Sequence, residues 1–450
     1  MGAIPLGDNL IRKEILSMLF EKIAILNENY EIEYDMYVGI TDDKITYLSK
    51  QEPTATEREV FGQSYTFSDK IMIPGFYNAH AHVPMSILRG YGENLNLSDW
   101  LHKKIFPFEA KLTANDVYWA TLLGSAEALK FGIVCNNDMY KELGAMCKAY
   151  DEVKIKANVN DAAVCFDDRG FKDLSCYPKS LELMKEYNNK NNGRIQVEFG
   201  LHAEYTSTEK IARTLAEACK EHNSPVHVHV AETAFEVEEC KKRHKGLTPV
   251  EYLASVGIFD VRSTAAHCVH INENDARILK EKNVTIATCP LSNLKLASGI
   301  MPAKLALDSG INIAVGTDGV ASNNNLNYLE DVKYYALLHK GTTFDPTLIT
   351  PAQALHASTR AGALATGRNN CGFIKEGMQA DLILLDYGSS HMQPSHNLLS
   401  HLVYASLGSD VYMTIVDGNI LYENGEYSTI DIEKVKFKVK EAYEKIISTL

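Results

Sequence analysis

Short apolar runs recur between residues 71 and 319, and a polar turn and a helical pattern follow most of them. The eight runs are 71–82, 132–139, 154–162, 194–204, 225–232, 263–270, 284–290 and 311–319. Helical apolar spacing occurs between or after them, for example in 115–131, 208–222 and 328–340. Eight strands alternating with helices predict an α/β protein with a closed, TIM-type (β/α)8 barrel. An open doubly wound sheet is the alternative, although no G-x-G-x-x-G follows the first strand.

The two ends of the chain have a different pattern. Residues 30–70 alternate apolar and polar positions, and residues 373–425 contain the turn pairs Asp417-Gly418 and Asn424-Gly425. Both ends therefore predict antiparallel strands, which we expect to form one small composite β-sandwich domain built from both termini. The predicted parts are 1–70 and 373–450 for this domain, with a terminal helix capped by Asp431, and 71–372 for the barrel.

Composition and charge narrow the classes of function. The chain is 45% hydrophobic and 23% charged, as in ordinary globular proteins. Its formal net charge of -13 argues against nucleic-acid binding, because phosphate contacts need clustered Lys and Arg. We find no apolar run of roughly 18 residues that would predict a membrane span. Nine scattered cysteines without a C-x-x-C predict a reducing, cytoplasmic location rather than a disulfide framework.

Side chains that can bind metal recur at the predicted strand ends, where barrel enzymes assemble their sites. Seven of the 15 histidines and two carboxylates lie there: His80, His82, His202, His227, His229, His267, His270, Glu232 and Asp318. Three neutral imidazoles with a carboxylate suit Zn²⁺ that keeps one position open for water. Such an ion lowers the pKa of its water to about 7. The pattern therefore predicts a hydrolytic metal centre.

The histidine pairs differ in how well the sequence assigns them. His80 and His82 point to the same face of a strand and are predicted to bind one ion together. His227 and His229 also share a face, and we favour His229 as the ligand because it lies nearer the strand end. His227 then belongs to a second layer or to the core.

The remaining strand-end residues keep two interpretations each. Glu232 suits a general acid/base beside the metal, or a solvated loop carboxylate. His267 suits a metal ligand or a partner of the hydrolytic water, whereas His270 suits packing at the strand exit. Asp318 suits a base, or a turn residue in Thr-Asp-Gly.

Several motifs resemble the amidohydrolase superfamily in order and spacing, namely PGFYNAHAH, HVAE, AHCVH, CPLSNLKLASG and GTDGVASNN. More narrowly, residues 85–113 resemble the 5-methylthioadenosine/S-adenosylhomocysteine deaminases and their chlorohydrolase-like relatives. The resemblance covers about residues 30–440. It implies a barrel with a composite β domain, a homo-oligomer, and one divalent ion, Zn²⁺ or else Fe²⁺. The ligands that it implies are His80, His82, His229 and Asp318.

The resemblance also implies roles in catalysis. Glu232 would carry a proton to a ring nitrogen, His267 would orient the hydrolytic water, and Asp318 would accept a proton. Binuclear relatives use a carboxylated lysine on the fourth strand. Residues 194–204 contain no lysine, which favours a single ion.

For the substrate, the resemblance implies five positions. Trp100 would form an aromatic wall, Glu109 would bind the ribose hydroxyls, and His202 and Ser322 would contact the nucleoside. Arg169 would meet an amino-acid carboxylate. At the position where the family has a second arginine after the third strand, this sequence has Lys179. Because lysine lacks the planar fork of arginine, the homocysteine part of the specificity stays open.

The implied activity is deamination of an adenine nucleoside to its inosine analogue and ammonia. The candidate substrates are 5'-methylthioadenosine, S-adenosylhomocysteine, 5'-deoxyadenosine and adenosine. Hydrolysis of guanine, cytosine or a triazine is the alternative within the superfamily. A non-catalytic metal-binding scaffold is disfavoured because every expected catalytic position is filled. The partner is therefore a small molecule, with no role for nucleic acid or membrane.

Overall fold

A computed structural model describes residues 17–450, so the first part of the predicted 1–70 segment lies outside the described residues. The strands are β1 Ser17–Leu26, β2 Ile32–Thr41, β3 Lys44–Ser49, β4 Gln63–Thr66, β5 Lys70–Pro74, β6 Phe76–His82, β7 Ile133–Met139, β8 Lys156–Asn160, β9 Ala162–Ala163, β10 Ile195–Val197, β11 Phe199–Ala203, β12 Val226–Val230, β13 Ser263–His267, β14 Thr285–Thr288, β15 Asn312–Val315, β16 Asp318–Gly319, β17 Leu382–Asp386, β18 Val411–Val416, β19 Asn419–Glu423 and β20 Glu426–Tyr427.

The helices are α1 Ala55–Arg58, α2 Leu97–Trp100, α3 Phe106–Glu109, α4 Ala114–Lys130, α5 Leu143–Val153, α6 Cys176–Tyr187, α7 Glu209–His222, α8 Ala234–Arg243, α9 Pro249–Ser255, α10 Glu273–Glu281, α11 Pro290–Lys295, α12 Ala303–Asp308, α13 Val320–Asn323, α14 Tyr328–Thr343, α15 Pro351–Ser358, α16 Arg360–Ala365, α17 Leu398–Tyr404 and α18 Ile432–Ile447. None of them, over the part of the chain that is described, has the length and apolarity that a membrane crossing requires.

The eight predicted runs form a closed ring of parallel strands. The third, fourth and eighth runs are each interrupted, giving β8 with β9, β10 with β11, and β15 with β16. β6 pairs with β7 and β7 with β8, while β11 to β15 pair in succession. The ring closes where β16 pairs with β6 through Asp318 and Ala81. The predicted (β/α)8 barrel is confirmed, and the open doubly wound alternative is wrong.

Strands from both ends of the chain join in one additional sheet. Its order is β20-β19-β18-β17-β5-β1-β2-β3, and β4 pairs with β1. The two predicted turns connect β18 to β19 and β19 to β20, and both residues of each pair have positive φ. Such turns match the twist of a hairpin. Asp431 accepts a hydrogen bond from the Lys434 amide at 3.0 Å and begins α18, as its sequence predicted.

Burial explains why the barrel strands carry continuous apolar runs. All residues of β7, β8, β12, β13 and β14 are buried, because helices cover the outside and side chains fill the inside. In β12 the alternation assigns the faces: the valines alternate with His227 and His229, which point into the barrel. The strand ends thereby direct polar side chains to one mouth.

Candidate active site

The C-terminal ends of the barrel strands open into a cavity of about 450 Å³. Its floor contains five of the residues that the sequence singled out: His82, His229, Glu232, His267 and Asp318. His80 is completely buried just beneath them. The structure therefore brings together the residues predicted as metal ligands and as catalytic groups, although they come from strands up to 238 positions apart in sequence — from His80 to Asp318.

The predicted ligands converge closely. Nε2 of His80 lies 3.4 Å from Oδ1 of Asp318, and Nε2 of His82 lies 3.3 Å from the same oxygen. Nε2 of His229 is 3.3 Å from Nε2 of His82. Donor atoms from β6, β12 and β16 thus lie close together, and two overlapping triads could each hold a metal ion: His80, His82 and Asp318, and His80, His229 and His267. Gly316 permits this approach, because a Cβ there would lie 2.9 Å from the backbone nitrogen and Cβ of His80.

Hydrogen bonds of the opposite ring nitrogens fix the tautomers of two of these histidines. Nδ1 of His82 contacts the carbonyl oxygen of Met139, and Nδ1 of His229 contacts that of His202 at 2.7 Å. A carbonyl only accepts, so each Nδ1 carries the proton, and in the neutral ring each Nε2 presents a lone pair.

The resulting donor set fits a divalent metal. Two lone pairs facing each other at 3.3 Å repel unless a cation lies between them. Among the described residues, Nε2 of His80 is buried without a hydrogen-bond partner. Imidazole nitrogens with one carboxylate are the ligands that Zn²⁺ prefers. His227 contacts His80 from behind, with Nε2 at 2.9 Å from Nδ1, and occupies the second layer.

Backbone strain accompanies this convergence. His267 and Asp318 have φ values of 71° and 61°, in the left-handed region that residues other than glycine seldom adopt. Ala231, which precedes Glu232, has φ of 49°. Strained residues of this kind cluster at functional sites, where surrounding contacts hold them in place.

The backbone that carries Glu232 is fixed by hydrogen bonds to Glu236. Glu236, in the first turn of α8, accepts hydrogen bonds from the amides of Ala231 and Glu232, both at 2.8 Å. The Glu232 carboxyl lies 3.3 Å from the hydroxyl of Ser298 and 3.9 Å from Nε2 of His267. Burial raises the pKa of Glu232, while the neighbouring His267 opposes the shift. A carboxyl with a raised pKa can both accept and return a proton near neutral pH.

His267 and Asp318 each have a supporting polar group. Nδ1 of His267 is 2.8 Å from the side-chain oxygen of Asn293, which orients the ring. Oδ2 of Asp318 receives the hydroxyls of Ser292 at 2.5 Å and Ser322 at 3.1 Å. Burial alone would raise the pKa of Asp318, but the adjacent imidazoles of His80 and His82 hold it well below its ordinary value. Asp318 is therefore a carboxylate.

The predicted substrate residues divide into two groups. Trp100, Glu109, Arg169 and His202 all line the cavity. Ser322 instead lies behind Asp318, is 2% exposed, and uses its hydroxyl within the protein. Its predicted substrate contact stays a prediction.

The second basic position that we inferred from the sequence is not found at the cavity. Lys179 lies on the outer side of α6, where its ammonium pairs with Glu182 at 3.0 Å. It is absent from the cavity lining among the described residues. Cys176, one turn earlier at the start of α6, lines the cavity instead.

Sequence reasoning missed several residues of the site. Glu236 follows Glu232 at a spacing of four, a signal that was available. Asn293 lies within a motif that we had noticed without assigning a role to any residue in it. Lys141 and Asp161, at the ends of the second and third strands, also line the cavity. A scan of all eight strand ends for any charged residue would have found both.

Comparison with known proteins agrees with this geometry. Residues 71–421 match the amidohydrolase family. A 5-methylthioadenosine/S-adenosylhomocysteine deaminase of Acetivibrio thermocellus is 40% identical, over 94% of this chain and 98% of that protein. A 5'-deoxyadenosine deaminase of Methanocaldococcus jannaschii is 41% identical, over 84% of this chain and 89% of that protein.

Among solved structures, an adenosine deaminase from Xanthomonas campestris with bound zinc superposes with a TM-score of 0.89. It is 28% identical, and the match covers 96% of this chain and 99% of that one. The family match spans most of the sequence and the relatives match it nearly end to end. The chain therefore belongs to the amidohydrolase family, in the branch of the 5-methylthioadenosine/S-adenosylhomocysteine deaminases that its motifs had indicated.

Proposed function

We propose that the protein is a metal-dependent deaminase that hydrolyses an adenine nucleoside to its inosine analogue and ammonia. As an amidohydrolase it is a hydrolytic enzyme. The observation that carries the proposal is the convergence of His80, His82, His229 and Asp318 beneath Glu232 and His267. The names of the relatives support an adenine nucleoside as the substrate class.

In this proposal the four converging donors hold one divalent ion, and Zn²⁺ suits them best. The zinc of the Xanthomonas campestris structure supports the same choice. When bound, the ion supplies a water that is acidic enough to act as a nucleophile near neutral pH. The carboxylate of Asp318 would accept a proton from the attacking water. Ser292 and Ser322 orient the carboxylate by binding its other oxygen.

Glu232 and His267 complete the proton transfers. Glu232 donates a proton to N1 of the adenine, which makes C6 more electrophilic, and the raised pKa of this carboxyl favours that step. His267, oriented by Asn293, holds the water against C6. Asp318 would return its proton to the C6 amino group, which leaves as ammonia. The proton of the new C6 hydroxyl would pass to Glu232 as the C6 carbonyl forms.

The rest of the cavity is proposed to bind the nucleoside. His202 contacts the base, Trp100 covers it as an aromatic wall, and Glu109 accepts hydrogen bonds from the two ribose hydroxyls. All three line the same cavity as Glu232. A carboxylate that binds a diol favours a nucleoside over a free base, which argues against guanine or cytosine.

A substrate screen tests this function. Purified protein is assayed for ammonia release from adenosine, 5'-deoxyadenosine, 5'-methylthioadenosine, S-adenosylhomocysteine, guanine and cytosine, and the metal content of the same sample is measured. We expect ammonia from adenine nucleosides and about one divalent ion per chain. Release only from guanine or cytosine would contradict the substrate class, and full activity without metal would contradict the proposed chemistry.

A further inference from the structure

The third barrel strand breaks at Asp161, and this break opens toward the cavity. Asp161 separates β8 from β9, is half-buried, and lines the cavity. Its carboxylate forms no hydrogen bond or ion pair within residues 17–450. A carboxylate that faces a ligand cavity without a protein partner is available to attract or repel part of the substrate.

Asp161 belongs to the same wall as the proposed ribose-binding residue. The ammonium of Lys141 contacts the backbone carbonyl of Glu109 and lies near enough to Asp161 to affect its pKa. Burial and the charge of Glu142 together raise the pKa of Asp161 to about 6, although the charge of Lys141 opposes them. The carboxylate is therefore mostly ionised at neutral pH.

No free, buried cation faces Asp161 from the remainder of this wall, as far as the described residues show. Nε of Arg169 binds both carboxylate oxygens of Asp167, at 2.9 and 3.1 Å, and this arginine side chain is 54% exposed. Lys179 points away from the cavity. The other lining residues nearby are small or apolar: Ala162, Ala163, Leu174 and Cys176.

We propose that Asp161 is a specificity-determining residue that selects adenine nucleosides with an uncharged 5' substituent and discriminates against a carboxylate at that end. The inference rests on the proposed function, in which the ribose binds Glu109. Lys141 contacts the carbonyl of Glu109 and lines the cavity together with Asp161, so we place the 5' end of the nucleoside beside this pair. Hydrogen, hydroxyl and methylthio substituents fit a wall that is mostly apolar. A substrate carboxylate would meet a like charge in a confined, partly dehydrated space, which specific sites use to reject unwanted ligands.

The test compares two substrates that differ in charge but hardly in shape, adenosine 5'-carboxamide and adenosine 5'-carboxylate. We measure kcat/KM for both with the metal-loaded wild-type protein, with Asp161→Asn and with Asp161→Ala. Asp168→Asn is the matched control, because Asp168 lies on the following loop with its side chain 96% exposed and does not line the cavity. The preference of one sample for one of two substrates is independent of how much of that sample is folded.

We expect the wild-type protein to prefer the carboxamide, and Asp161→Asn and Asp161→Ala to reduce that preference about tenfold. The control should keep the wild-type preference. An unchanged preference in both Asp161 variants would overturn the assignment while the proposed function stands.

Turnover of S-adenosylhomocysteine provides a second test. Loss of its turnover in Asp161→Asn, with unchanged turnover of 5'-methylthioadenosine, would show that Asp161 binds the substrate ammonium and would overturn the proposal. A wild-type protein that releases ammonia from none of these nucleosides would instead overturn the proposed function, and this inference with it.

Discussion

The two ends of the barrel both bury charged side chains, but they compensate these charges in different ways. At the N-terminal end, the ammonium of Lys156 lies 2.5 Å from Oδ1 of Asp381 and 2.6 Å from Oδ1 of Asp417. These carboxylates belong to the additional sheet, so the contact joins it to the barrel. At the C-terminal end, the three converging imidazoles meet one carboxylate, Asp318, and two of their lone pairs face each other.

This difference separates a structural cluster from a ligand site. Opposite charges in direct contact need no third partner, and a group removed from such a cluster leaves the others buried and unpaired. Donors that converge without an internal cation are stabilised only by an ion from outside the chain. Substitutions should therefore affect mainly stability at the N-terminal end and mainly turnover at the C-terminal end.

The largest expected effect is that of Glu232→Gln at the C-terminal end. Gln cannot transfer the proton to the ring, so kcat should fall about 10³-fold or more. The metal content should stay that of the wild type, because Glu232 is not among the converging ligands. Steady-state kinetics and metal analysis of the same sample measure kcat and the metal content. Glu238→Gln, an exposed change on α8, is the control, and turnover of Glu232→Gln at the wild-type rate would exclude the proton-transfer role.

The next effect is expected at the N-terminal end, for Lys156→Met. Removal of the ammonium leaves Asp381 and Asp417 buried without their counter-charge. The free energy of unfolding should fall by about 3–5 kcal/mol, measured by denaturant titration. The kcat of the folded fraction should change little. Lys154→Met, an exposed lysine two residues away, should change stability by less than about 0.5 kcal/mol. Equal free energies of unfolding for Lys156→Met and Lys154→Met would contradict a structural role for the charges at the N-terminal end.

Glu236→Gln should have a smaller effect, because Glu236 holds the backbone of Glu232 in position and does not transfer the proton itself. The NH₂ group of glutamine cannot accept a hydrogen bond, so only one of the two backbone amides keeps its acceptor. The segment carrying Glu232 should therefore lose its fixed position. We expect kcat to fall roughly 10- to 100-fold with KM and metal content nearly unchanged. Glu238→Gln on the exposed side of α8 is the control. A change in KM alone would contradict a positioning role.

The smallest effect should follow from Glu109→Ala, at the rim of the site. Loss of the carboxylate removes hydrogen bonds to the ribose, so KM for nucleosides should rise about tenfold. Deamination of free adenine, which has no ribose, should be unaffected. Michaelis constants for adenosine and adenine on the same sample check this, and equal changes for both would remove the ribose assignment.

Much of the fold followed from pattern alone. Each of the eight apolar runs forms a barrel strand, because such runs suit strands covered on both faces. The turn pairs Asp417-Gly418 and Asn424-Gly425 predicted hairpins, since their residues tolerate positive φ. The breaks within three barrel strands were not predictable, because the pairing of neighbouring strands determines where a ladder is interrupted.

The sequence predicted which residues at the strand ends would meet in the candidate site. His80, His82, His229 and Asp318 could be assembled because parallel strands of a barrel end at one mouth. The contacts behind them depend on side chains that arrive from distant helices. The hydroxyl of Ser322 contacts Asp318, which the sequence did not indicate, and its predicted substrate contact stays a prediction.

By itself the sequence determined the barrel, the additional sheet and the set of residues at the mouth, since periodicity and strand order are local properties of a chain. Only the tertiary structure decided which charges have partners. Lys156 is neutralised by carboxylates from the other end of the chain, and Lys179 faces outward. Asp161 faces the cavity without a partner among residues 17–450. Pairing of charges depends on distances of a few ångströms between remote segments, and no sequence pattern encodes these distances.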